Sequence, residues 1–180
     1  MLRFEGVTLR RGGRVLFEGL DLQLAPGEAL HVAGPNGSGK SSLIRLAAGL
    51  LRAERGKIGR SSLALADDSL ALDRELPLRR ALMFWSGGID EAMDALGIGH
   101  LAEVPVRLLS SGQAKRATLA RVVASDVPLW LLDEPLNALD ADGGRRLARL
   151  IEAHLAAGGA VLAASHQPLP GASRRLELAR

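Results

Sequence analysis

A run of eight residues near the start of the chain has the composition of a phosphate-binding loop. Residues 34–41 read Gly-Pro-Asn-Gly-Ser-Gly-Lys-Ser, which fits the pattern G-x-x-x-x-G-K-S. The glycines and the small Ser38 let the backbone turn sharply, so that its N–H groups converge on a polyphosphate. We expect Lys40 to reach the β- and γ-phosphates and the Ser41 hydroxyl to ligate Mg²⁺. The positions expected to contact the nucleotide are Gly34, Pro35, Asn36, Gly37, Ser38, Gly39, Lys40, Ser41 and Ser42.

Two consecutive carboxylates follow a wholly apolar stretch in the second half of the chain. Residues 129–132 read Leu-Trp-Leu-Leu, and Asp133 and Glu134 come directly after them. Asp133 is expected to hold Mg²⁺ opposite the phosphate loop. Glu134 is expected to accept a proton from, or to orient, the water that attacks the γ-phosphate. Because acidic residues are common at strand ends, this pair indicates the chemistry only together with the loop.

Three further segments place small or polar residues where helices begin or strands end. Residues 109–113 (Leu-Ser-Ser-Gly-Gln) open a predicted helix, whose free N–H groups and serine hydroxyl could bind a phosphate. Taken alone, they are equally typical of an ordinary serine N-cap with a glycine turn. Residues 137–140 (Asn-Ala-Leu-Asp) come soon after the carboxylate pair, and His166 follows the apolar residues 160–164.

The segments between these motifs predict an α/β core with a mainly parallel sheet. Residues 29–33 read as a buried strand leading into the phosphate loop, and residues 41–48 read as the helix leading out. Stretches that are apolar on both faces are typical of central parallel strands. Further strands are predicted at 63–66, 129–132, 160–164 and 174–178, and further helices at 113–124 and around 147–155.

Before the phosphate loop the pattern is that of antiparallel β-structure. Apolar and polar residues alternate over the first thirty residues, with a turn at Gly12 and Gly13. After the first helix, residues 49–59 are predicted to form a loop or a short hairpin.

Residues 70–105 have helical rather than strand periodicity. Together with the helix that follows, they predict a small helical subdomain, over about 70–125, inserted in the core of one domain spanning residues 1–180. Phe84 and Trp85 are the adjacent bulky aromatics of this lobe. We expect them to belong to its local core, with a partner-docking surface as the alternative.

Composition excludes several classes of site. With no cysteine there is no disulfide framework or thiolate chemistry, and the four histidines are too dispersed for a zinc site. No apolar run approaches the ~20 residues of a membrane helix, so we expect a soluble, cytoplasmic protein. The net charge is +3. Since the basic residues occur in ones and twos without interleaved aromatics, we expect no nucleic-acid partner.

In their order and spacing these motifs resemble those of the ATP-binding-cassette (ABC) ATPases, over essentially the whole chain. The resemblance implies the P-loop fold of ABC type, with ATP and Mg²⁺ as ligands. It makes residues 109–113 the signature motif, with Ser110, Ser111, Gly112 and Gln113 approaching the nucleotide. It also makes residues 137–140 the D-loop, with Asp140 near the nucleotide, and His166 the switch histidine at the γ-phosphate. Two copies would bind head to tail, each ATP lying between the phosphate loop of one and the signature of the other.

Three positions depart from the family pattern. Ser111 replaces a glycine, which keeps the residue small. The glutamine that normally contacts Mg²⁺ and the attacking water is missing, and Asp68 stands at about its place as a candidate metal ligand. Arg11 replaces the aromatic residue that stacks on adenine, and its flat guanidinium can also stack on a base.

A finer resemblance links the chain to the ATP-binding subunits of bacterial cytochrome c biogenesis haem exporters. It is carried by residues 101–110, 128–135 and 166–169. It implies integral membrane subunits as partners and a peripheral location on the cytoplasmic side of the bacterial inner membrane. The alternatives are the ATPase of another small ABC exporter and a soluble ABC-type factor for iron–sulfur cluster assembly. A nucleotide kinase is less consistent, because residues 109–113 and His166 would have no role in it.

Overall fold

A computed structural model of the chain describes residues 1–85, 88–169, 171 and 173–178. Ser86 and Gly87, which fall within the predicted helical lobe, lie outside the described residues. In chain order the strands and α-helices are β1 (Leu2–Arg11), β2 (Arg14–Leu24), β3 (Ala29–Ala33), α1 (Lys40–Ala48), β4 (Arg55–Arg60), β5 (Leu63–Ala66), α2 (Leu78–Met83), α3 (Ile89–Ala95), α4 (Ser111–Ala124), β6 (Leu129–Asp133), α5 (Ala141–Ala156), β7 (Ala160–Ala164) and β8 (Arg174–Glu177). Two short 3₁₀ turns lie at Gly99–Leu101 and Val106–Leu108.

A five-stranded sheet, parallel throughout, forms the centre of the fold. Its order is β5-β6-β7-β3-β8, so β7 lies between the strand that leads into the phosphate loop and the strand that ends in Asp133. All residues of β3, β6 and β7 are buried, as expected for strands covered on both faces. Alternate residues of β6 enter two different cores: Leu129 and Leu131 pack toward α1, and Trp130 and Leu132 pack toward the later helices.

An antiparallel sheet of order β2-β1-β4 packs beside this core. Gly12 and Gly13, at φ 54° and 76°, form the two-residue turn between β1 and β2. The expectation of a loop or short hairpin at 49–59 was wrong in part, because β4 pairs with β1 instead of with a neighbouring segment. Most side chains of β4 are exposed, so the sequence lacks the apolar alternation that marks a strand. Together the two sheets confirm the predicted fold class: a mainly parallel core with an N-terminal antiparallel part.

The helices α2, α3 and α4 pack together on one side of the central sheet, around residues such as Leu82, Met93 and Leu119. The expectation that Phe84 and Trp85 belong to this local core was wrong, since they are 84% and 44% exposed. The reason is that α2 ends at Met83, so both aromatics follow the last turn that carries the helix's buried face. Within the described residues, none of the helices combines the length and apolarity needed to cross a bilayer.

Candidate nucleotide-binding site

The loop between β3 and α1 is held open by glycines in the left-handed region. Gly34, Gly37 and Gly39 have φ values of 144°, 81° and 102°. A Cβ atom on Gly34 would lie 2.6 Å from the carbonyl oxygen of Leu178 and 2.8 Å from the Ser38 hydroxyl. The loop therefore takes a path that a residue with a side chain at position 34 could not follow.

Polar groups of the loop face inward. The Lys40 ammonium is buried and donates to the carbonyl oxygens of Gly34 and Pro35, at 2.9 and 3.2 Å. The buried hydroxyl of Ser38 has no hydrogen-bond partner among the described residues. Because Lys40 is the first residue of α1, the loop lies at the positive end of a helix. This combination of a lysine, free hydroxyl and helix N-terminus is suited to a polyphosphate.

The loop meets the first carboxylate directly. The Ser41 hydroxyl donates to Asp133 Oδ1 over 3.1 Å, joining the start of α1 to the end of β6. Asp133 is buried, and this burial raises the pKa of its carboxyl group, with repulsion from Asp68 and Glu134 acting in the same direction. The hydrogen bond from Ser41 opposes that rise. A hydroxyl and a carboxylate oxygen placed together are ligands that Mg²⁺ accepts beside phosphate oxygens and water.

The second carboxylate is paired with the histidine of the neighbouring strand. Glu134 Oε2 lies 2.9 Å from His166 Nδ1 and 3.4 Å from the His166 main-chain N–H. Since an ionised carboxylate only accepts hydrogen bonds, Nδ1 carries the hydrogen in this contact. Glu134 has φ 45°, and its N–H donates to the carbonyl oxygen of Ala164 over 2.8 Å. The turn after β6 thus aims the carboxylate across the end of β7.

Of the residues described so far, Gly37, Gly39, Lys40, Ser41 and Glu134 border one cleft of about 630 Å³, whereas Asp133 and His166 are not among its lining residues. Arg11 and Leu16, from the antiparallel hairpin, form its far wall, and Arg45 of α1 and Glu134 also line it. The structure therefore places Arg11 on the cleft of the phosphate loop, where the sequence predicted a base-stacking side chain. Its role stays a prediction.

The signature residues lie elsewhere. Ser110, Gly112 and Gln113 border a separate cleft of about 470 Å³ with Asp140, and none of them lines the phosphate-loop cleft. Ser110 and Gln113 form a capping box in which each side chain accepts from the other's main-chain N–H. Ser111 is exposed at the first position of α4. In this chain the signature residues do not meet the phosphate loop.

Asp140 contacts the first turn of α5 and an arginine of α4. It caps α5 by accepting from the Gly143 N–H at 2.8 Å, and it also pairs with Arg116. The hydrogen bond from Gly143, with that from Arg116, lowers the pKa of its carboxyl group. Asp140 therefore holds the D-loop against α4, and its proximity to a nucleotide stays a prediction.

Asp68 is not brought into the phosphate-loop cleft. It is exposed and borders a smaller depression lined by Ser111, Lys115 and Asn137, among others. It is near enough to raise the pKa of Asp133 by repulsion. A role as a metal ligand stays a prediction.

Lys115 is a site residue that the sequence reasoning missed. Its buried ammonium donates to the main-chain carbonyl of Asp133 at 3.2 Å. Burial lowers its pKa, and attraction from Asp68 and then Asp133 opposes that change. Its position on α4 could have indicated this role. One face of the helix is buried and consists of Lys115, Thr118, Leu119 and Val122. A lysine on such a face predicts a buried partner.

Comparisons with known proteins agree with this geometry. Residues 17–137 match the ABC transporter family. The chain is 53% identical to the cytochrome c biogenesis ATP-binding export protein CcmA of Sphingopyxis alaskensis, over 92% of this chain and 90% of that protein. It is 55% identical to the protein of the same name from Novosphingobium aromaticivorans, over 91% and 87%. Its fold is similar to that of a solved ATP-binding subunit of an ABC transporter, with TM-score 0.84 and 20% identity over 92% and 79% of the two chains.

Proposed function

The chain belongs to the ABC transporter family, and within it to the cytochrome c biogenesis ATP-binding export proteins; from this membership we propose that it powers an export complex. As a member of that family the chain is an ATPase, which converts ATP and water to ADP and phosphate. Haem is the cargo that we propose, moved or released for the maturation of c-type cytochromes. We also propose roles for the residues of the nucleotide site, Mg²⁺ as the bound metal, and a second copy and integral membrane subunits as partners.

The main support for ATP hydrolysis by these residues is that the ends of three strands, β3, β6 and β7, lie together beside the phosphate loop. Lys40 and the loop amides would bind the β- and γ-phosphates. Ser41 and Asp133, already 3.1 Å apart, would hold Mg²⁺, which supplies positive charge to the phosphate oxygens. Glu134 would accept the proton of the attacking water, and His166 would hold Glu134 in place.

The head-to-tail dimer is supported by the separation of the two clefts. Ser110, Gly112 and Gln113 lie on a different cleft from Lys40 and Ser41, so one chain does not surround a γ-phosphate. A second copy would supply the missing wall with the N-terminal end of its α4. Binding of ATP would then favour the closed pair, and hydrolysis would allow it to reopen.

Complementation between two defective variants tests this arrangement. Lys40→Ala removes the phosphate-binding lysine, whereas Ser111→Glu places a negative charge where the partner's γ-phosphate would lie. A glutamate in the first turn of α4 favours the helix, so the second variant should fold. Each variant alone should lack hydrolysis, and their mixture should regain it, because one site of the mixed dimer is intact. A mixture as inactive as its components would contradict the dimer.

We propose that integral membrane subunits dock on the helical lobe, which places the protein at the cytoplasmic face of the bacterial inner membrane. Met83 and Phe84 are exposed at the end of α2, beside a groove lined by Leu63, Leu65 and Trp85. Exposed adjacent aromatic and aliphatic side chains are typical of interaction surfaces.

Co-purification from membranes tests the docking surface and the cargo. Phe84→Ser should abolish recovery with integral membrane subunits and leave the ATPase activity of the free protein intact. Leu50→Ser, which changes an exposed apolar side chain outside the lobe, is the control and should be recovered normally. Haem-loaded c-type cytochromes should fall in cells carrying Phe84→Ser. If Phe84→Ser no longer co-purifies with membrane subunits but its cells contain normal levels of c-type cytochromes, the chain serves another exporter. If the wild-type protein is itself recovered without membrane subunits, a soluble assembly factor is favoured.

A further inference from the structure

Lys115 connects the signature helix to the turn that carries Glu134. It lies in the second turn of α4, four residues after Ser111, and its side chain is buried against the end of β6. The bond it makes is with the main chain: its Nζ donates to the carbonyl oxygen of Asp133 over 3.2 Å. It therefore acts on the backbone of the site.

The peptide group between Asp133 and Glu134 is held from both sides. Its carbonyl oxygen accepts from Lys115, and its N–H, which belongs to Glu134, donates to Ala164 of β7 over 2.8 Å. Residue 134 has φ 45°, a left-handed conformation that is strained for a residue with a side chain. Fixing the orientation of the preceding peptide maintains that conformation, and the conformation directs the carboxylate to His166.

The charges around Lys115 explain why an ammonium group is kept in a buried position. Asp67 and Asp68 approach it from the segment after β5, and Asp133 and Glu134 approach it from the end of β6. These four carboxylates would repel one another without a cation among them. The positive charge of Lys115 thus offsets part of this repulsion.

We propose that Lys115 is a positioning residue for hydrolysis, which acts by holding the Asp133–Glu134 peptide so that Glu134 is aimed at the reaction. It also links the two halves of the dimer, since the first turn of the same helix faces the nucleotide of the other copy. This inference rests on the proposed role of Glu134.

Steady-state and binding measurements on the full chain test the proposal. Lys115→Met keeps most of the side-chain volume and removes the donor. It should lower kcat by roughly 10- to 100-fold, the range for a hydrogen bond from a charged group, while ATP binding stays close to that of the wild type. Lys115→Arg retains a cationic donor and should restore most of the turnover. Should Lys115→Met fail to fold, Lys115→Leu, which also lacks a donor, is measured in its place.

A control on the same helix face separates positioning from packing. Thr118→Val changes a buried residue one turn along, whose hydroxyl bonds within the helix to Ala114, and should leave kcat unchanged.

The outcomes distinguish this inference from the proposed function. If Glu134→Gln abolishes turnover while Lys115→Met retains normal kcat, only the role of Lys115 is overturned. Equal loss in Thr118→Val and Lys115→Met, or no rescue by Lys115→Arg, also overturns it. If Glu134→Gln hydrolyses ATP normally, the assignment of Glu134 itself fails.

Discussion

The carboxylate of Glu134 and the imidazole of His166 meet at 2.9 Å, although 32 residues separate them in the chain. The contact exists because β6 and β7 are neighbours in the sheet, so their carboxyl ends lie side by side. An imidazole that donates from Nδ1 has an acceptor at Nε2, and the side-chain amide nitrogen of Gln167 lies 3.4 Å from that atom. The pair therefore combines a candidate base with a side chain that orients it, and contact of His166 with a phosphate stays a prediction.

Glu134→Gln should remove turnover and preserve binding of ATP. The amide has nearly the same size but cannot accept a proton, and a general base typically contributes ~10²–10⁴-fold. Phosphate release measures the loss, and size-exclusion chromatography with ATP should show the variant accumulating as a dimer. Glu152→Gln, on the exposed side of α5, is the control and should behave as the wild type. Undiminished hydrolysis by Glu134→Gln would refute the role of Glu134.

Lys40→Ala should weaken ATP binding by roughly 10- to 100-fold, which corresponds to the loss of a charged hydrogen bond of about 1.5–3 kcal/mol. The buried ammonium lies inside the phosphate loop, so its contribution should not be screened as a surface charge would be. Calorimetric titration with ATP provides the measurement. Lys57→Ala removes an exposed lysine of β4 and should bind normally. Equal affinity of the two variants would contradict the assignment of the loop.

Gly34→Ala should destabilise the fold and impair binding together. Its Cβ atom would stand 2.6 Å from the Leu178 carbonyl oxygen, at a φ of 144° that strains any other residue. We expect a loss of about 1–3 kcal/mol in the free energy of unfolding, measured with urea. Gly144→Ala is the matched control, because a Cβ in that helical position has no neighbour within 4 Å in the part of the chain that the structure describes. It should gain about 0.5–1 kcal/mol, and a loss there as large as that of Gly34→Ala would refute the steric argument.

The stability of the protein should depend on pH through His154. Its ring stacks on Trp130 with centroids 3.9 Å apart, and burial lowers the pKa of the imidazole. The unfolded chain, with an ordinary pKa of about 6.5, then binds the proton more readily than the folded one. The free energy of unfolding should therefore be largest above about pH 6.5. It should decrease as the pH falls from that value toward the pKa of His154 in the folded state.

Urea unfolding between about pH 7.5 and pH 5 measures this contribution. His154→Phe keeps an aromatic ring on Trp130 and should reduce the decline in stability at low pH. His100→Gln changes an exposed histidine and should decline as the wild type does. If the free energy of unfolding fell equally with pH in the wild type and in His154→Phe, the pKa of His154 would be the same in the folded and unfolded chains, which would contradict the prediction.

The parts of the site that lie on contiguous residues were predictable from the sequence. Residues 34–41 form the turn that is predicted to bind phosphate because their own glycines permit it, and no distant residue is needed to recognise the pattern. Stretches such as Leu129–Leu132 are apolar on both faces, so they indicated central parallel strands and hence the fold class. The order of the motifs along the chain then indicated the family, which the comparisons confirm.

Only the tertiary structure decided which of these segments meet. The pairing of β4 with β1, the exposure of Phe84 and the bond from Lys115 to Asp133 depend on contacts between segments distant in sequence. Local patterns state which face of an element is apolar, but the packing of the whole chain decides what that face touches. The sequence therefore determined that a phosphate loop and two carboxylates are present. The strand order, with β7 between β3 and β6, decided that Ser41 meets Asp133 and Glu134 meets His166, because adjacent parallel strands bring their carboxyl ends to one edge.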